Sequence, residues 1–299
     1  MNFKHDLAMM SKQEMEEAGI IVPSDWNDYK ICMKYFELQQ RWFDSSVSYN
    51  IFYSKQLLKK MRELSPKEQD AIKDIEHCLK NNIPITPYMS KDRYKTDVKR
   101  SDFLLKNWNI YHLHLEKGEL GTKFTNENLL FFQADSNNIY MIDVKKHPRG
   151  NGWFDRELLD VVYDNWPWLL RYIPDTRVTI EISDENIHEL LKDSVSFVNF
   201  RDGVLFPTNC GVASSGDSIL AVQQADDYFD ALDAWEKELA SREDEIRCNY
   251  KEQCGQKLKK KTLDFTLIIE DGYFVAYEEE EHIKIRMFTV SLSENKNIY

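Results

Sequence analysis

The stretch Asn109-Ile110-Tyr111-His112-Leu113-His114-Leu115 decides how the middle of this 299-residue chain is read. On an extended backbone its side chains alternate, with Tyr111, Leu113 and Leu115 on one face and Ile110, His112 and His114 on the other. The leucine face is expected to be core. The second face carries two imidazoles, which can do acid/base work near neutrality, bind a metal, or sit buried and hydrogen-bonded. The pattern leaves these three readings open.

Downstream, residues 128–134 and 138–145 also read as strands, and Asp135-Ser136-Asn137-Asn138 between them is a turn signal. Together the three runs predict an antiparallel meander whose last strand leads to His147. A polar loop follows through Gly152, and Asp155 is placed to cap a helix over 156–166 carrying Leu158, Leu159, Val162 and Trp166.

Upstream, the period is helical. Asp25 opens a helical reading over 26–54, where Tyr29, Met33, Phe36 and Gln40 recur at helical spacing, and a second pattern covers 54–64. Ser65-Pro66-Lys67-Glu68 then reads as an N-cap, a first-turn proline and an acidic first turn for a helix ending near Asn81-Asn82. Pro84 and Pro87 break it. Between that point and the histidine strand, Lys91, Arg93, Lys95, Lys99, Arg100 and Lys106 face only Asp92, Asp97 and Asp102. Such an excess serves either a phosphodiester site or a solvated loop.

The remainder has a different texture. Residues 177–182 read as a strand, 184–191 as a short helix, and 194–206 as a hairpin about Arg201-Asp202-Gly203. The loop 209–217 has two glycines but neither the spacing nor the Lys-Ser/Thr of a phosphate-binding loop, so it reads as a tight turn. A long charged helix over 225–259 carries the stripe Phe229, Leu232, Trp235 and Leu239. A hairpin about Glu270-Asp271-Gly272, four glutamates at 278–281 and a last strand over 282–290 complete the chain.

Charge is unevenly spread. Of the net −12, almost all falls in residues 176–299, with 14 Lys+Arg against 25 Asp+Glu. With the length, this predicts two domains: 1–175, a helical lead-in plus meander that holds the chemistry, and 176–299, an acidic α+β partner or regulatory domain. The fold class expected is α+β. The first nineteen residues lack the basic start and apolar run of a signal peptide, and no apolar stretch approaches the ~20 residues of a membrane span. Five cysteines without a Cys-x-x-Cys pair fit free thiols in a reducing cytoplasm.

Helices, a basic loop and a three-strand meander, carried by Asp102, Trp108, the run Tyr111-His112-Leu113-His114-Leu115 and the strands 129–132 and 139–144, resemble the bacterial endoribonuclease toxins of the RelE/ParE type and their barnase-like superfamily. The resemblance covers residues 55–166. It implies RNA cleavage without metal or other cofactor, in which a base activates the ribose 2′-hydroxyl, an acid protonates the leaving oxygen and cations stabilise the phosphorane. No residue of this chain matches a family catalytic motif one to one. From the residues themselves, His112 and His114 are the candidates for base and acid, and Arg100, Lys106 or Arg149 for the charge clamp. Lys91, Arg93, Lys95, Lys99, His147 and Arg149 are candidates for substrate binding. A competing reading is a metal-dependent hydrolase, with His112, His114 and His147 as ligands and Asp143 or Glu116 behind them. A third is a non-enzymatic interaction protein that docks a macromolecular partner through its acidic last third.

Overall fold

In the computed structural model, residues 1–41, 47–90, 95–96, 103–118, 124–147, 156–177 and 197–290 are described. Helices α1 (Phe3–Glu17) and α2 (Asp28–Gln39) open the chain. The helical reading of 26–54 holds for α2 and fails at β1 (Asn50–Tyr53), which is a strand. Ile51, Phe52 and Tyr53 are side chains that favour a pleated surface, and β1 pairs with residues 88 positions away, beyond the reach of local periodicity.

Helix α3 (Lys55–Lys60) starts at Ser54, whose hydroxyl accepts from the Leu57 N–H. Helix α4 (Pro66–Lys80) starts at Ser65 with both halves of a capping box in place. Helix α5 (Phe103–Trp108) leads into β2 (Ile110–His114), followed by β3 (Asn128–Asp135) and β4 (Asn138–Lys146). The strands form one sheet in the order β1-β4-β3-β2. The expected antiparallel meander is there, and β1 joins it in parallel, Asn50 opposite Asn138 and Tyr53 opposite Met141. One extra residue on β4, Ile142, forms a bulge between the pairs Phe131–Asp143 and Phe132–Met141.

Both faces of this sheet are covered. Leu113, Leu130, Phe132 and Met141 pack with Ile72, Ile75 and Leu79 of α4, so the leucine face is core as the alternation predicts. On the other face, Ile110, Phe131 and Ile142 pack with Leu158, Leu159 and Val162 of α6 (Arg156–Asn165). Phe200 and Leu205 join that cluster from a small antiparallel sheet in the order β5-β7-β6, made of β5 (Arg171–Ile173), β6 (Val198–Phe200) and β7 (Gly203–Phe206). Apolar residues at period two thus face a helix on each side, and burial of this kind supplies most of the stabilisation.

The rest of the chain forms helix α7 (Ile219–Ser241), helix α8 (Glu243–Cys254) and the antiparallel strands β8 (Thr266–Glu270), β9 (Tyr273–Glu278) and β10 (Ile283–Thr289), in the order β10-β9-β8. The single helix expected over 225–259 starts earlier and breaks at Arg242 (φ −103°, ψ 14°), a place no proline or glycine marks. Asp155 and the elements expected over 178–191 lie outside the described residues. Among the described residues no helix is long and apolar enough to cross a membrane.

The architecture is α+β, with amino-terminal helices, antiparallel sheets and a long helix towards the carboxy terminus. Its compact units run over other residues than a division at 175/176. Among the described residues, 40–220 form one unit, and 1–39 join 221–290 to form the other. Position 175 falls inside the first unit because β5 is hydrogen-bonded to β7. In the second, Phe36 of α2 stacks on Tyr228 of α7 at 5.3 Å, and Lys4 of α1 pairs with Asp233 at 2.5 Å. Residues 1–39 and 221–290 carry 14 Lys+Arg against 24 Asp+Glu, and residues 40–220 carry 24 against 26, so the acidity belongs to the unit built from the two ends.

Candidate functional site

The site is built at the end of the four-stranded sheet where β2 finishes and β4 runs out. The β2–β3 register is unbroken, with His112 opposite Phe131 and His114 opposite Leu129, so both imidazoles stay on the face of Ile110 and Phe131. Their ring centroids are 6.4 Å apart at 75°. His112 is half-buried against Phe131, and His114 is 6% exposed.

His147 reaches the same place from β4, although β3 lies between the two strands. Two strand spacings amount to about 9.6 Å, yet the His114 and His147 rings lie 6.2 Å apart at 28°. The approach is possible because β3 begins only at Asn128, and the His147 N–H donates to the Glu127 carbonyl at 2.5 Å just before it. His147 itself is exposed. Three histidines therefore meet at one sheet end, graded from exposed to buried.

Sequence reasoning missed Phe124. Its ring lies flat on His114, centroids 3.6 Å apart at 7°, closing one face of the imidazole while the nitrogens remain at the ring's edge. Two carboxylates position it. Glu116 accepts from the Thr125 hydroxyl at 2.8 Å, the Asn126 N–H at 2.8 Å and the Thr125 N–H. Burial opposes its charged form, but these donors, helped by His114, outweigh burial and hold the carboxyl below its usual range. Glu68, the carboxylate of the α4 capping box, accepts from Asn128 at 2.5 Å and Asn126 at 3.3 Å. It too is held low: burial raises it, and the Asn128, Ser65 and Asn126 donors prevail. Gly118 completes the fit, since a Cβ there would stand 2.7 Å from the Phe124 ring. A lone loop phenylalanine gives no periodic signal; the legible hint was Glu116, which no helix or strand pattern needed.

The basic candidates fare differently. Lys106 is 2% exposed and donates to the Gly216 carbonyl at 3.0 Å, tying α5 to the 209–217 loop instead of facing a substrate. That loop is a turn, as expected, fastened further by Asn209 to the Leu105 carbonyl at 2.9 Å. The Lys95 carbonyl accepts from Arg41 at 2.7 Å. Lys91, Arg93, Lys99, Arg100 and Arg149 lie outside the described residues.

For a metal, the arrangement is poor. Among the described residues no group of three or more His, Cys, Asp or Glu side chains is disposed to hold an ion. The carboxylates expected behind the histidines have other partners: Asp143 takes Lys60 at 3.0 Å, and Glu116 holds the Phe124 loop. What remains is a set of imidazoles with ring centroids 6.4 and 6.2 Å apart, the side-chain type that gives and takes protons near neutrality. Comparison with protein-family models, with curated proteins and with solved structures returned no match.

Proposed function

We propose that this protein is a metal-independent endoribonuclease, acting in the cytoplasm as a bacterial toxin or anti-phage effector. The observation that carries the reading is the meeting of His112, His114 and His147 at one sheet end, with ring spacings of 6.4 and 6.2 Å. Imidazoles on one strand face can reach a shared phosphate with the nitrogens at their ring edges, one taking a proton and the other returning it. His112 and His114 divide these roles. One removes the 2′-hydroxyl proton as that oxygen attacks phosphorus; the other protonates the departing 5′-oxygen, leaving a 2′,3′-cyclic phosphate. The exposed His147 contacts the phosphate from the solvent side. Arg100 and Arg149 are the sequence's candidates for the phosphorane charge, in place of the buried Lys106.

The test is cleavage of a fluorogenic single-stranded RNA by the full chain in the presence of a chelator. His112→Ala and His114→Ala should each lose about 10²-fold or more in kcat/KM. Folded variants that cut like the parent would sink the acid/base assignment. Stoichiometric zinc in the purified protein, lost in the same variants, would favour the metal-dependent hydrolase.

A further inference from the structure

We infer that the outward face of α3, with Phe52 at its head, is a binding surface for the phosphate backbone and bases of single-stranded RNA; the inference rests on the ribonuclease reading. Lys55, Leu58 and Lys59 recur at i, i+3 and i+4 and so share one face of the helix, and Arg62 follows in the turn beyond its C-cap Met61. The turn continues past Lys60, with the Arg62 N–H donating to the Lys59 carbonyl and the Glu63 N–H to the Lys60 carbonyl. All four side chains are exposed, Leu58 by 52%, while Leu57 on the opposite side is fully buried.

Several other cations of the same unit are compensated. Lys60, Lys73, Lys80 and Lys145 are each paired with a carboxylate. Lys55, Lys59 and Arg62 make no ion pair among the described residues. In a chain of net charge −12, three uncompensated cations on one stripe match a polyanion.

Their position ties them to the histidines. The Ser54 hydroxyl donates to the Ile142 carbonyl at 2.5 Å, and Lys60 donates to Asp143 and to the Val144 carbonyl at 2.7 Å, which fixes both ends of α3 to β4. His147 lies three residues past Val144, about 10 Å along an extended chain. At the head of α3, Phe52 is 44% exposed and stacks on Tyr140 at 5.3 Å. A basic track beside an open aromatic ring is how proteins hold a single strand: cations follow the backbone and a base stacks on the ring.

The experiment measures binding of fluorescein-labelled oligouridine to the full chain by anisotropy over a series of salt concentrations, beside the cleavage assay. The triple variant Lys55→Ala, Lys59→Ala, Arg62→Ala should bind about 10-fold or more weakly at low salt, with a log–log salt slope shallower by about 2 for three lost phosphate contacts. Phe52→Ala should weaken binding about 10-fold and leave the slope unchanged. The replacement Lys55→Arg, Lys59→Arg, Arg62→Lys should bind like the parent. A triple alanine variant with parental affinity and slope overturns the inference, as does a parent that binds anionic vesicles but no oligouridine. His114→Ala should stop cleavage and keep the binding. If the parent binds through α3 and cuts nothing, the ribonuclease reading fails while the surface stands.

Discussion

Glu116 shows how much of the site depends on one carboxylate that belongs to no element. It holds Thr125 and Asn126, and through them the ring that lies on His114. Because its folded pKa is lowered, the stability it contributes is fully present above the unfolded carboxyl value of about 4.3 and is lost as pH falls through the folded value. Glu116→Gln should therefore be less stable than the parent at neutral pH, and the two should converge as the solution is acidified below about pH 4. Urea unfolding at a series of pH values checks this; a constant gap down to low pH would show that the carboxylate charge is not what holds the loop. His112 and His114 were legible as a pair because strand alternation is local. Phe124 was not, because its partner is reached through a loop tied by side-chain hydrogen bonds that have no fixed spacing.

Among the elements, α4 was the most legible, since its start is written in four adjacent residues. Ser65 accepts from Glu68 N–H, and Glu68 returns the bond to the Ser65 N–H at 2.9 Å. The structure adds that Glu68 also binds Asn126 and Asn128, which makes one first-turn carboxylate both a cap and a clamp on the start of β3. Ser65→Ala should cost about 1 kcal/mol, the usual value of an N-cap. Glu68→Ala should cost about 2–3 kcal/mol, because partly buried amide donors are left without their carboxylate. Equal losses for the two variants by urea unfolding would mean that Glu68 acts on the helix alone. β1 was read as helix for the opposite reason: it is a four-residue parallel edge strand whose evidence lies in β4. The break at Arg242 likewise leaves no trace in composition.

For the whole molecule, the excess of acid towards the carboxy terminus was legible from counting charges, but the bodies that carry it were not. Nothing local in α1 or α2 says that Phe36 stacks on Tyr228, or that Asp6 accepts from the Leu267 N–H at 2.8 Å. That pairing of residues 1–39 with 221–290 concentrates the acid, 14 cations against 24 carboxylates, in one unit and leaves residues 40–220 near balance. A fragment cut at 175 would lose β6 and β7 and open the cluster that holds Phe200 and Leu205, so it should not fold cooperatively. A fragment of 40–220 keeps its sheets and both clusters around the meander, and should unfold in a single transition. Without the acidic unit it should bind oligouridine more tightly than the full chain at low salt. The difference should shrink as salt rises, because charges farther apart than the Debye length, roughly 8–10 Å near physiological ionic strength, are screened. A folded 40–220 fragment whose RNA affinity equals or falls below that of the full chain at low salt would remove electrostatic restraint from the acidic unit's role. Recruitment of RNA or of a basic protein partner would then account for its charge better.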